Sequence, residues 1–277
     1  MFQVKPLTRD DYPFAVELAN TMNWNMANED FEFAATLEPG GSFLLVEGSK
    51  RLGIATCVSY GKVGWFGNLI VKEGNRKKGG GTTLVTHAID YLHAKGVETI
   101  GLYAYPHLVG FYGSLDFKAD DDFSVLFIEK LGLVTAENLT KVGVREWPKI
   151  SKFDTHCFGG DRKRLLESII LKEENVSYCT SEDGEIAGYV AATVYPQLAW
   201  VGPLVCKPTK AEVGFSLVKT VLANLAGKRV YAVVPKKTVE LLDIFMRLGF
   251  METFFVSRMF LGKTTAKNCI YLSLIHI

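Results

Sequence analysis

Arg76, Lys77 and Lys78 stand directly before Gly79, Gly80 and Gly81 in the stretch VKEGNRKKGGGTTLVTHAIDYL, where the glycines open an apolar-periodic segment. A glycine inside a helix costs about 1 kcal/mol relative to alanine, so three in one first turn call for a reason. A helix start presents unpaired N–H groups and a partial positive charge, and both suit a phosphate. Glycines let the backbone approach such a group closely, and the basic side chains add charge. Residues 76–82, from Arg76 to Thr82, are therefore expected to cradle a phosphate or diphosphate. A solvated basic turn with flexible glycines is the plainer alternative. No GxxxxGK(S/T) order occurs, and Gly79-x-Gly81 runs on to Leu84 where GxGxxG needs a third glycine. What remains is Arg-x-x-Gly-x-Gly, after one strand and opening one helix.

Other chemistry-bearing residues form no set. His87 and His93 are six apart on one helix and point to different faces, so a metal pair is not expected, and no metal is assigned. His107 follows Pro106 at a strand end, where solvation explains it. No GxSxG or cysteine–histidine pattern supports a hydrolase. Five scattered cysteines without CxxC read as reduced thiols, hence a cytoplasmic chain.

A chain of 277 residues, 48% of them hydrophobic, can bury one large core or two ordinary ones. A net charge of +1 gives no global reason to expect nucleic acid or an anionic membrane as partner. No apolar run reaches the roughly 18 residues a membrane span needs, and the N-terminus lacks a signal-peptide core. The last six residues, LSLIHI, match a translated sequencing adapter. Residues 272–277 are therefore expected to be foreign, and His276 receives no role.

The elements that must position the glycines alternate strand and helix. FQVKPLT suits a strand, and TRDD at residues 8–11 a capping-box start. A short helix is expected over Asn28 to Leu37. SFLLVEG, RLGIATCVSYG and KVGWFGNLIVK read as consecutive strands with glycine turns. From Thr82, Leu84, Ala88, Tyr91 and Leu92 recur at helical spacing. VETIGLYAYP returns to strand, and a short helix through Phe111 and Tyr112 precedes the strand SVLFIEK. The second half repeats this grammar: AWVGPLVC echoes GWFGNLIV, VYAVVP echoes GLYAYP, and RLGF echoes SLDF, each about 130 residues on. The expected division is 1–135, a linker at 136–150, and 151–271.

Arg76 to Gly81 resembles the coenzyme A loop of the GNAT superfamily of N-acetyltransferases. GFYGSLDF is similar to that family's FYxxxGF segment, with Asp116 where glycine is usual. MNWNMANEDF, GGDRKRLLESII and SRMFLG extend the resemblance, over about Val4 to Gly262, to a subgroup with two fused domains. It implies a mixed α/β fold: two tandem GNAT-like domains, each a mostly antiparallel twisted sheet with helices on both faces. It implies acetyl-CoA as cosubstrate and direct attack by a primary amine of a small molecule or amino acid. Main-chain groups of Leu69, Ile70 and Val71 would pair with the pantetheine arm, and Tyr112 would protonate or hydrogen-bond the departing thiolate. Packing in the core is the alternative for Tyr112. Asn68 stands where many relatives carry a glutamate, so no base is assigned. Glu29, Asp30 and Glu32 either border the acceptor or are a solvated face, and Trp24 either walls the acceptor or packs. In the second half, KPTKAEVGFSLVKTVL lacks the basic-glycine pattern, so that half is expected to shape the acceptor site without catalysing. Asp161 should cap a helix, Arg162 and Arg164 either touch ligand or, as expected, form a solvated helix start, and Cys206, equivalent to Val71, should be small and buried. A protein or peptide acceptor, and a non-catalytic acyl-CoA sensor, are the competing functions. Oligomeric state is left open.

Overall fold

The structure, a computed structural model, describes residues 1–207, 211–264 and 270–272. Its first half runs β1 (Phe2–Pro6), α1 (Tyr12–Asn20), α2 (Asn28–Leu37), β2 (Ser42–Glu47), β3 (Lys50–Tyr60), β4 (Val63–Val71), α3 (Gly80–Ala94), β5 (Thr99–Ala104), α4 (Val109–Gly113) and β6 (Lys118–Ile128). The short β7 (Thr140–Lys141) follows. The second half then runs α5 (Trp147–Phe158), α6 (Lys163–Ile170), β8 (Val176–Glu182), β9 (Glu185–Val194), β10 (Leu198–Cys206), α7 (Ala211–Ala223), β11 (Arg229–Pro235), α8 (Val239–Arg247), β12 (Met251–Leu261) and β13 (Ile270–Leu272).

Local chemistry accounts for the starts and faces of these elements. The Thr8 N–H donates to Asp11 Oδ2 at 3.1 Å, closing the capping box ahead of α1. Asp161 stands one residue ahead of the N-cap position, which Arg162 takes, and its Oδ1 accepts from the Lys163 N–H at 2.9 Å at the start of α6, whose Leu165, Leu166, Ile169 and Ile170 are buried at helical spacing.

All strands share one mixed, mostly antiparallel sheet in the order β1-β2-β3-β4-β5-β12-β6-β11-β10-β9-β8-β7, with β13 on β10. Among the described residues only β4–β5 and β10–β11 are parallel. The sequence repeat is not a boundary in this sheet. β12 lies between β5 and β6, with Arg258 opposite Tyr103 on one side and Asp121 on the other. β6 in turn pairs with β11. Each half thus lends its last long strand to the other. Arg258 fastens the exchange through an ion pair with Asp120, its Nε donating to Oδ2 at 2.9 Å, which gives the SRMFLG segment a structural purpose.

Side-chain alternation along the strands sorts the helices onto two faces. On one face α3 and α4 pack over Phe66, Leu102, Ala104 and Met259, and α7 and α8 over Val190, Val201 and Ala232. On the other, α1 and α2 cover Leu44, Ile54 and Ile70, while α5 and α6 cover Val58, Val63, Tyr189 and Ala191. Between those helix pairs lies a strip of Phe123, Val125, Val233 and Val256, edged by Tyr103, Tyr105 and Trp200. Arg162 departs from the solvated role expected of it. It is buried and donates to both carboxylate oxygens of Asp154 at 2.8 and 2.7 Å, because α5 and β9 close over the start of α6. Cys57, Cys179 and Cys206 are free and buried, whereas Cys157 is disulfide-bonded, which departs from a set of reduced thiols. Burial pushes the Cys206 thiol up to about 12.

Candidate functional site

The site begins with one residue in an unusual conformation. Asn68 has φ +51, a left-handed geometry that asparagine tolerates better than most side chains. Around it the register against β3 shifts, from Thr56 opposite Gly67 to Ile54 opposite Ile70, which makes a β-bulge. Bulges bend a strand and increase its twist, and β4 leaves β5 at this point. Their pairing consists of Val63–Thr99, Gly64–Ile100 and Trp65–Gly101, and ends there. Beyond it, residues 66–71 face residues 102–104 across an unpaired gap. The glutamate position of the resemblance is therefore used for bending here, with Asn68 Nδ2 donating to Thr56 Oγ1 at 3.1 Å.

Leu69, Ile70 and Val71 form one bank of this gap. Leu69 packs towards α3 and Ile70 towards α1, so the strand's main chain is what faces the opening. Past the bank the chain turns through Lys77 at φ +59 and Gly79 at φ +91 into α3. The first helical bond is Thr83 N–H to Gly79 O at 2.9 Å. Every amide from Lys77 to Thr82 lacks an acceptor among the described residues. This run of backbone donors at a helix start is an anion cradle in geometry and charge.

The glycines and basic side chains divide their tasks. A Cβ on Gly79 would meet nothing within 4 Å, so its value is the left-handed turn and open approach. A Cβ on Gly80 would lie 2.7 Å from Leu45 Cδ2, so this glycine serves close helix-to-sheet packing. Gly81 faces the Phe111 ring at 3.4 Å. Arg76 Nε donates to Val71 O at 2.9 Å and Lys78 Nζ to Gly74 O at 2.8 Å, so both brace the loop. Lys77 and Thr82 are exposed beside them.

Tyr112 sits on α4, packed edge-on against Phe66, Phe111 and Phe117. Its hydroxyl has no hydrogen-bond partner among the described residues, and burial raises its pKa, so the phenol stays protonated. Asp116, where glycine is usual, adopts φ +67 at the end of the tyrosine helix.

Across the gap, the other face carries a side-chain group the sequence left unconnected. Trp24 Nε1 donates to Tyr105 Oη at 3.0 Å, tying the α1–α2 loop to the end of β5. Tyr105 stacks on His107 with centroids 5.9 Å apart and touches Phe254 at 5.7 Å. Phe254 comes from the second half and was invisible in the sequence, because only the strand exchange brings it here. Asp30 is engaged as a cap, accepting from the Ala27 N–H at 2.8 Å, and Glu32 lies 3.7 Å from Arg9. Glu29 is exposed. Among the described residues no cluster of histidine, cysteine, aspartate or glutamate is placed to hold a metal, and no helix is long and apolar enough to cross a membrane.

In the second half the same bulge recurs in β10, with a register shift between Val201 and Leu204, and pairing with β11 ends at Val201–Ala232. There β13 pairs antiparallel with Leu204, Val205 and Cys206, so peptide occupies the edge that the first half leaves open. Residues 208–210, 265–269 and 273–277, including Cys269 and His276, lie outside the described residues.

The first half thus brings together a bulged, splayed parallel pair, a run of amides at a helix start and a tyrosine helix. Two family models match, "Acetyltransferase (GNAT) family" over residues 3–117 and "Acetyltransferase (GNAT) domain" over residues 150–271. The chain belongs to the GNAT superfamily of acetyltransferases and carries two GNAT domains in tandem. It is similar to a solved candidate acetyltransferase from Pyrococcus horikoshii, with 22% identity, 99% of this chain and 95% of that one covered, and a TM-score of 0.80. It is also similar to a tandem GNAT protein from the clavulanic acid biosynthesis pathway (13% identity, 95% and 100% covered, TM-score 0.65). A GCN5-related N-acetyltransferase from Sphaerobacter thermophilus is comparable (14% identity, 96% and 98% covered, TM-score 0.66). At these identities the likeness concerns fold. Comparison with the curated proteins gives no match.

Proposed function

We propose that the chain transfers an acetyl group from acetyl-CoA to the primary amine of a small molecule or amino acid, using the first half's splay as its site. The observation that carries this reading is the unpaired gap after Trp65–Gly101, followed directly by the amides of 77–82 that lack acceptors. Acetyl-CoA supplies the activated acetyl group. The amides of 77–82 hold its diphosphate, with Lys77 adding charge and Arg76 and Lys78 keeping the loop in shape. The main chain of Leu69, Ile70 and Val71 binds the pantetheine arm and directs an N–H at the oxygen where charge develops, the term expected to dominate acyl transfer.

Tyr112 acts at the departing sulfur. Its pKa lies above the ordinary phenol value because it is buried, while a thiol titrates near about 8.5. Complete proton transfer to the thiolate is therefore uphill, and Tyr112 Oη serves as a hydrogen-bond donor to it. A small acceptor is favoured by the second half's reach across this face. Phe254 touches Tyr105, and Asp30 lies close enough to Tyr195 to raise its pKa further, after burial as the main cause. The test is thiol release from acetyl-CoA with a mixed amine library, products confirmed by mass. Turnover with at least one small amine is expected; binding of acetyl-CoA without turnover of any small or peptide amine would indicate a sensor instead.

A further inference from the structure

We propose that the acceptor amine carries a planar aromatic ring, held by Trp24, Tyr105 and Phe254. This rests on the acetyl-transfer reading above and names the substrate class of that site. Tyr105 directly follows Ala104, the last residue on the far bank of the splay. Alternation turns Tyr105 to the face opposite Leu102, Ala104 and Tyr112, the face an amine must use if the carrier occupies the gap from the α3 side.

Two devices build this aromatic wall. The Trp24–Tyr105 hydrogen bond fixes the loop ring from the first half. A register shift between Glu252 and Phe254 in β12 turns the Phe254 ring onto the same face, opposite Val125, and bulges commonly re-aim a side chain in this way. Phe254 is nevertheless 44% exposed, so a flat apolar face stands open beside the splay. Ring faces bind a flat apolar group well and also attract the ammonium form of an arriving amine.

The experiment compares 2-phenylethylamine with ethanolamine, for the wild-type chain and for Phe254→Ala, Trp24→Ala and Tyr105→Phe. Thiol release gives kcat/KM, and calorimetry on the coenzyme A-loaded chain gives amine binding independently of turnover. The expected result is a preference for 2-phenylethylamine of about tenfold or more. Phe254→Ala and Trp24→Ala should remove it, and Tyr105→Phe should weaken it, with acetyl-CoA affinity unchanged. Turnover with a preference for ethanolamine, or a preference that survives Phe254→Ala, overturns the assignment while leaving acetyl transfer standing. Loss of acetyl-CoA binding in the wild-type chain would instead defeat the underlying reading. Saturable 2-phenylethylamine binding lost in Phe254→Ala supports the site even without turnover, and no such binding refutes it. If Phe254→Ala turns a dimer into monomers by sedimentation and the aryl preference persists, the wall is a subunit contact.

Discussion

Two splays occupy one sheet, and they differ in what fills them. In the first, Asn68 bends β4 away from β5, and the chain then presents amides 77–82 with no acceptor among the described residues. In the second, β10 bends at the same place, but β13 pairs with Leu204, Val205 and Cys206. Sequence pattern and backbone agree, since KPTKAEVGF has none of the three consecutive glycines of the first loop. A duplicated fold can thus keep its geometry while one copy stops presenting free main chain. What the second copy retains is structure: it lends β12 to the sheet beside the first splay, and Phe254 to the opposite face.

If the second half is a scaffold, breaking its core should damage both halves. Asp154, 1% exposed, is held by Arg162 and Tyr189. Asp154→Ala removes the carboxylate that neutralises the buried Arg162 guanidinium, a loss of about 3–5 kcal/mol. Denaturant unfolding should show one cooperative transition shifted by this amount, because β12 and β6 interlock the halves. Two separate transitions, with only one moved, would break the comparison. Tyr112→Phe acts on the first half alone. It should lower kcat about 10²-fold with little change in acetyl-CoA affinity, read by steady-state kinetics and calorimetry.

Asn68 separates bending from base catalysis. Asn68→Val places a β-branched residue at positive φ, a strain of about 1–3 kcal/mol, and should weaken acetyl-CoA binding about tenfold. Asn68→Gly should be near wild type in the same titration.

The smallest expected effect concerns pH. Burial opposes the charge on Glu38, yet hydrogen bonds from Lys95, Tyr91 and the Ser59 N–H outweigh it and hold its carboxyl below the usual value. The folded pKa lies below the unfolded one, so this contribution is complete above the ordinary glutamate pKa of about 4.3. It is lost as pH falls through the lower folded value. Glu38→Gln should flatten the acid limb of the stability curve and leave Asp154's contribution to the second half untouched.

The loop and helix order were legible because glycine, basic residues and apolar periodicity each carry a local physical meaning. Gly79 and the capping pair Thr8–Asp11 could be read from the chain alone for that reason. The different task of Gly80 could not, because the Leu45 side chain that would have to shift for a Cβ there comes from another strand. Arg162 was misjudged on similar grounds: its partners Asp154 and Tyr189 meet it only after α5 and β9 pack. The strand exchange was hidden altogether, since β6 and β12 look like ordinary terminal strands of their own repeats. Phe254 joins Tyr105 only through that exchange.

Acetyl-CoA titrated calorimetrically into the intact chain, and into Gly79→Val/Gly81→Val with its melting temperature checked, tests the difference between the splays most directly. The account predicts one acetyl-CoA per chain and an affinity about 10²-fold weaker in the double variant, near 3 kcal/mol. Two acetyl-CoA per chain, or an affinity that survives both substitutions in a folded protein, would contradict it.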